Sequence, residues 1–203
     1  QKGPHAHSIY PGPANKFAYA PDLGIDKVMI YSLDPETASL RKVGAADTRA
    51  GAGPRHMKFG SNGKQAYVLT ELFLTVAVYD QDPETGLLGS SKQEVSCLPE
   101  GTDPGGMSCS EIRVHPSGKY LYAANRDVKG AGRDSISVFE VLADGRIKRI
   151  QNIPAKVEIP RNIGVDPDGK WLLVAGQRSG NVPVFRIRND GTLQDNGNEV
   201  RVA

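Results

Sequence analysis

A four-residue turn signal recurs down the chain as Pro-Ala-Asn-Lys16, Ser-Asn-Gly-Lys64, Pro-Ser-Gly-Lys119 and Pro-Asp-Gly-Lys170. The four lysines lie 48, 55 and 51 residues apart, and an apolar segment follows each of them. A period of roughly 50 residues, built from short strands and glycine turns, points to the blades of a β-propeller. One such unit cannot bury its own apolar faces, so it must stack against copies of itself.

Each unit reads as four strands. The first covers Ser8-Ile9, His56 to Phe59, Glu111 to His115 and Asn162 to Asp166 in the successive units. Gly63, Gly118 and Gly169 then supply the positive φ that a tight hairpin needs. The second strand runs over Phe17 to Ala20, Gln65 to Leu69, Tyr120 to Ala124 and Trp171 to Ala175. A third, alternating in period two, covers Lys27 to Leu33, Thr75 to Tyr79, Ser135 to Val141 and Asn181 to Ile187. Polar turns such as Asp82-Pro-Glu-Thr-Gly and Asp144-Gly lead into a weaker fourth. With 14 prolines, 23 glycines and no helical periodicity, the chain is expected to be all-β. The expected organisation is one β-propeller domain over 1-203, with four four-stranded blades at about 5-50, 51-104, 105-157 and 158-203. Four blades can close alone or belong to a larger ring, and the repeat is compatible with both.

Charge excludes two classes of partner. The net charge is only +2 and basic residues form no run, so neither a nucleic-acid surface nor a membrane-binding face is expected. No apolar stretch reaches the roughly 20 residues that span a bilayer. Gln1 opens directly into blade-like sequence without an initiator Met, so the chain reads as a piece of a longer protein. Cys97 and Cys109 fit no zinc or redox spacing; two reduced thiols are expected, with a disulfide between them the alternative.

Against this regular background, two columns of the repeat refuse to repeat. Nine residues before each shared lysine stand His7, Arg55, Ser110 and Arg161; seven after it stand Leu23, Glu71, Arg126 and Gln177. In a blade the first strand leaves one face of the ring and the second returns to it, so both columns belong at one mouth of the central channel. Packing alone would favour one residue type per column, so the mixture suggests an asymmetric polar pocket. Each residue also has a plainer reading. Arg55 and Arg161 follow prolines and can cap loop carbonyls or pair with a neighbouring carboxylate, and Arg126 can pair with Asp127 or Asp134. Glu71 can be a solvated strand end, and His56 and His115 ordinary strand or loop residues. His5 and His7 form a His-x-His without a third ligand, so no metal is expected. There is no Gly-x-Ser-x-Gly elbow, phosphate-cradling loop or dinucleotide fingerprint, which leaves water and proton transfer organised by Glu, His and Arg.

The same residues carry a resemblance. Pro-His5-Ala-His7, Pro-Asp22-Leu-Gly24, Gly-Pro-Arg55-His56, Thr70-Glu71-Leu72, Ala-Asn125-Arg126, Pro-Arg161 and Ala-Gly176-Gln177-Arg178-Ser179 run in order along the whole chain. This pattern resembles the propeller lactonases, which include bacterial-type 6-phosphogluconolactonases and fungal carboxy-muconate lactonising enzymes. The resemblance implies a seven-bladed ring with these as its last four blades. It also implies a His, Arg, Glu, Arg catalytic set on His7, Arg55, Glu71 and Arg126. His5, His56, Arg161, Gln177 and Arg178 are the expected substrate-binding residues.

The reaction so implied is hydrolysis of a small-molecule lactone, foremost 6-phosphogluconolactone, in the cytoplasm and without metal or organic cofactor. Glu71 or His7 would take the proton of the attacking water. Arg55 would stabilise the oxyanion, and Arg126 with Arg161 or Arg178 would hold the phosphate. The alternatives are lactonisation of a carboxy-muconate and a non-catalytic binding scaffold. Blade faces left bare in an incomplete ring are expected to self-associate or to meet the missing N-terminal blades.

Overall fold

The computed structural model describes residues 3–202. Four antiparallel four-stranded sheets stand side by side, each a meander in sequence order. Blade 1 contains β1 (Tyr10–Pro11), β2 (Phe17–Asp22), β3 (Lys27–Asp34) and β4 (Ser39–Asp47). Blade 2 contains β5 (Pro54–Phe59), β6 (Gln65–Thr70), β7 (Thr75–Asp80) and β8 (Gln93–Ser96). Blade 3 contains β9 (Met107–Val114), β10 (Tyr120–Asp127), β11 (Ser135–Val141) and β12 (Ile147–Pro154). Blade 4 contains β13 (Pro160–Val165), β14 (Trp171–Gly176), β15 (Asn181–Ile187) and β16 (Leu193–Arg201). The first strands β5, β9 and β13 lie beside one another, which makes them the innermost wall.

The turn before each second strand shows why the repeat tolerates so little. Gly63, Gly118 and Gly169 take φ of 70°, 72° and 70°, and Asn15 fills the same place in blade 1 with φ 56°. Asparagine is among the few non-glycine residues that adopt this left-handed geometry readily.

Apolar side chains are buried in the seams between blades rather than inside any one of them. Tyr19, Val28 and Ile30 of blade 1 meet Met57, Ala66 and Val68 of blade 2. The opposite face of blade 2, with Tyr67, Leu69 and Val76, meets Ile112, Leu121 and Phe139 of blade 3. Blade 3 in turn presents Tyr122, Ile136 and Val138 to Leu172, Val174 and Phe185 of blade 4. Residues 66–69 are therefore all buried, since odd and even positions face different neighbours. In β14 the burial alternates instead, leaving Trp171 and Leu173 at 37% and 40% exposure on a bare face.

A repeated tyrosine fastens each seam. Three residues after the shared lysine, Tyr19, Tyr67 and Tyr122 donate to the carbonyls of Gly86, Gly145 and Gly191, each in the outer turn of the next blade, at 2.7, 3.2 and 3.1 Å. Burial raises all three phenols, Tyr67 to about 12, so they remain donors at neutral pH.

The first strands of all four blades differ from the expectation. Blade 1 does not begin its first strand at Ser8-Ile9. Ala6 bridges Asp22, His7 N donates to Pro21 O at 2.9 Å, and regular pairing resumes only at Tyr10–Pro11. Ser8 is drawn off the ladder because its Oγ donates to Arg55 O at 2.7 Å. In the other blades the first strands start earlier than predicted, at Pro54, Met107 and Pro160. Each slips by one residue, at its start in β5 and β13 and after Cys109 in β9. Pro54 pairs with Thr70 but His56 with Leu69; Cys109 pairs with Asn125 but Ile112 with Ala123; Pro160 pairs with Gly176 but Asn162 with Ala175. Such bulges bend a strand and re-aim its side chains.

Candidate active site

The bulges bring the non-repeating residues together. At Gly53 the chain takes φ +63°, where a Cβ would sit 3.1 Å from both Leu23 and Leu72, so only glycine fits before Pro54-Arg55. The bulged Arg55 is 3% exposed, and its Nε lies 2.8 Å from Glu71 Oε2. Its Nη1 donates to Ser110 O in the next blade. Arg126, also buried, donates through Nη2 to Glu71 Oε1 at 2.8 Å and to Cys109 O at 2.9 Å. Glu71 is fixed through its own backbone, donating to Gly53 O and accepting from Cys109 N. One carboxylate thus holds two arginines from neighbouring blades.

This corrects the plainer reading of Arg126. Its partner is Glu71; Asp127 belongs to Arg133, whose Nε stands 3.0 Å from Oδ2. That pairing and the backbone donors of the loop hold the Asp127 carboxyl down to about 2.

The clamp leaves polar atoms unused. Arg126 Nε and His7 Nδ1 are buried and have no hydrogen-bond partner among the described residues. Unpartnered buried polar groups are costly, and two of them beside the Glu71 ion pairs suit a polar ligand. His7 stacks obliquely on His56 at 5.2 Å between ring centroids. Burial first, then Arg55 and His56, lower the His7 pKa to about 4, so it is uncharged at neutral pH. Arg161 is exposed, acts electrostatically on both Arg55 and His7, and enters no ion pair among the described residues. Two arginines against one carboxylate, with a third arginine open to solvent, suit an anionic ligand.

The remaining expected residues separate. His5 sits 6.4 Å from His7 between ring centroids, and its N–H is tied to Asp22 Oδ1 at 2.7 Å. Asp22 also accepts from Gly24 N, which makes it a turn residue away from the clamp. Gln177 and Arg178 are exposed and donate backbone N–H groups to Ile159 O and Glu158 O. Their side chains make no contact with the clamp. His115 bonds Ser117 and Gly169 O in a turn. The described residues contain no group of three His, Cys, Asp or Glu placed to hold a metal. Cys97 and Cys109 are free, buried thiols, and burial pushes Cys109 well up.

A further column was missed. Eight residues before the shared lysine stand Ser8, His56, Glu111 and Asn162; six before it stand Tyr10, Lys58, Arg113 and Gly164. Glu111, 1% exposed, accepts from His56 Nδ1 at 3.0 Å, Arg113 Nη1 at 2.7 Å, Asn162 Nδ2 at 3.0 Å and the N–H of Ile112 at 2.9 Å. This ring lies one step deeper than the arginine clamp. The failure to repeat in these columns was the available signal.

Comparison with known proteins identifies the family along the whole chain. The family described as Lactonase, 7-bladed beta-propeller matches residues 1–203. A 6-phosphogluconolactonase of Formosa agariphila is 34% identical, over 90% of this chain and 50% of its own length. One from Bacillus subtilis is 33% identical, over 95% of this chain and 53% of its own length. The chain therefore spans about half the length of these relatives. The structure of a Pseudomonas aeruginosa periplasmic gluconolactonase superposes with a TM-score of 0.89 at 29% identity, over 98% of this chain and 55% of that one. The chain belongs to the seven-bladed β-propeller lactonase family.

Proposed function

We propose that this chain carries the active site of a lactonase that hydrolyses 6-phosphogluconolactone to 6-phosphogluconate. The observation that carries the reading is the Arg55–Glu71–Arg126 clamp with the unpartnered buried polar atoms beside it, set in a chain of the lactonase family. A lactone carbonyl placed against Arg55 gains a fixed cationic donor as its oxygen becomes an anion. One such donor is typically worth about 10²–10³ in rate. Glu71 acts mainly as the positioning residue, because both its oxygens face arginines. Arg161, in no ion pair among the described residues, is the cation that meets the substrate phosphate.

In this reading the bare face of blade 4 around Trp171 and Leu173 is the seat of a neighbouring blade in the seven-bladed ring. In the isolated chain it is the face through which copies associate. The compartment is reducing and cytoplasmic, in keeping with two buried free thiols.

Acid release from freshly generated 6-phosphogluconolactone, compared with gluconolactone and with a carboxy-muconate, tests the assignment. Preference for the phosphorylated lactone supports it. Turnover of the muconate alone would reassign the clamp to lactonisation, and no turnover by the intact protein of any of the three would reject catalysis.

A further inference from the structure

Glu111 has no part in the arginine clamp, yet it is a carboxylate buried across the innermost strands of blades 2, 3 and 4. A buried charge is tolerated only when its lone pairs are met, and here four donors meet them. Burial alone would push its carboxyl up; His56, Arg113 and the Ile112 N–H outweigh that and hold it below the usual range. Glu111 is therefore an ionised acceptor, which places the shared proton on His56 Nδ1.

His56 is the group this arrangement orients. Both hydrogen-bond contacts of its ring use Nδ1, to Glu111 Oε1 at 3.0 Å and to Tyr10 Oη at 2.9 Å. With the proton on Nδ1, Nε2 carries the lone pair, the arrangement a general base needs. The side chain keeps 17% exposure, and Nε2 is not among the buried unpartnered atoms, so it is open to solvent. It follows Arg55 directly in the bulged stretch of β5.

The two other bases at the mouth are less suited. Glu71 is committed on both oxygens to arginines. His7 binds a proton only near pH 4, and no carboxylate fixes its tautomer.

We infer that His56 is the proton acceptor for the attacking water and that Glu111 positions it, an assignment that rests on the lactonase reading above. The water oxygen forms a bond to the lactone carbonyl carbon as its proton passes to His56 Nε2, and the carbonyl electron pair moves to the oxygen facing Arg55. When the tetrahedral intermediate collapses, the C=O re-forms, the ring C–O bond breaks, and the His56 proton goes to the departing ring oxygen. The products are a carboxylate, after loss of its acid proton to solvent, and a free hydroxyl. His56 ends as it began.

The test is steady-state kinetics on the intact protein with 6-phosphogluconolactone. His56→Gln should lower kcat about 10²-fold with KM within about twofold, and added imidazole should restore part of the rate to His56→Ala. Glu111→Gln should lower kcat roughly tenfold, with partial recovery in Glu111→Asp. A His56→Gln enzyme with kcat within about threefold of wild type, beside an inactive Arg55→Ala, would overturn the assignment and leave the lactonase reading standing. Loss in His56→Ala that imidazole does not rescue, with KM rising as kcat falls, would also overturn it. An intact wild type that hydrolyses no lactone would reject both readings together.

Discussion

The seams between blades and the mouth of the channel are built from the same strands, yet they obey opposite rules. In the seams the same residue type returns at the same offset, as with Tyr19, Tyr67 and Tyr122 reaching the next blade's glycine carbonyl. At the mouth the residue type changes from blade to blade, with arginine returning at the same offset only in Arg55 and Arg161, and contacts pass between unlike groups. Ser8 reaches Arg55 O, Arg55 reaches Ser110 O, and Ser110 Oγ reaches Pro160 O at 2.5 Å. Those contacts show that the mouth residues also tie blades together. Their hydrogen-bonding capacity is not exhausted by doing so, as Arg126 Nε shows. What repeats stabilises the stack; in the proposed reading, what varies serves the ligand.

That division predicts separable effects. The largest is in the seam: Leu121, fully buried between blades 2 and 3, should cost about 2–5 kcal/mol when changed to Ala, read as a lower urea midpoint. At the mouth, Glu71→Gln should lower kcat/KM by about 10²-fold, since an amide cannot hold two cations in place, while the urea midpoint moves much less. Wild-type activity in Glu71→Gln would remove Glu71 from the site.

A smaller effect concerns pH. The folded pKa of His7, about 4, lies below its unfolded value of 6.5, so the unfolded chain binds the proton first. Stability from this group is complete above pH 6.5 and declines as pH falls from there toward 4. In His7→Asn the urea midpoint should fall less steeply over that window, and an unchanged slope would contradict the burial of a neutral ring. The smallest effect is again in the seam: Tyr67→Phe should cost about 1 kcal/mol and leave kcat untouched.

How much of this was legible in the sequence follows the same division. The lysine turns and apolar strands reveal the blades because each position is constrained by burial on both faces or by a left-handed turn. The arginine clamp was legible as Arg55, Glu71 and Arg126 because counting from the lysine aligns them at one mouth. Glu111 and the orientation of His56 were not. Strict period-two alternation sends Arg55 and His56 to opposite faces, and the register slip after Pro54 breaks that alternation. A bulge leaves no residue signature here beyond the preceding proline in blades 2 and 4. Arg178 and Gln177 show the converse: they share the resemblance, yet they enter no ion pair or hydrogen bond with the clamp among the described residues.

The most direct test of the central claim is the activity of Arg55→Ala in the intact protein toward 6-phosphogluconolactone, with its unfolding curve measured in parallel. The expected result is kcat/KM lower by about 10²–10³-fold in a protein that still unfolds cooperatively. An Arg55→Ala protein that hydrolyses the lactone at the wild-type rate would show that the clamp only joins blades and that the chemistry lies elsewhere.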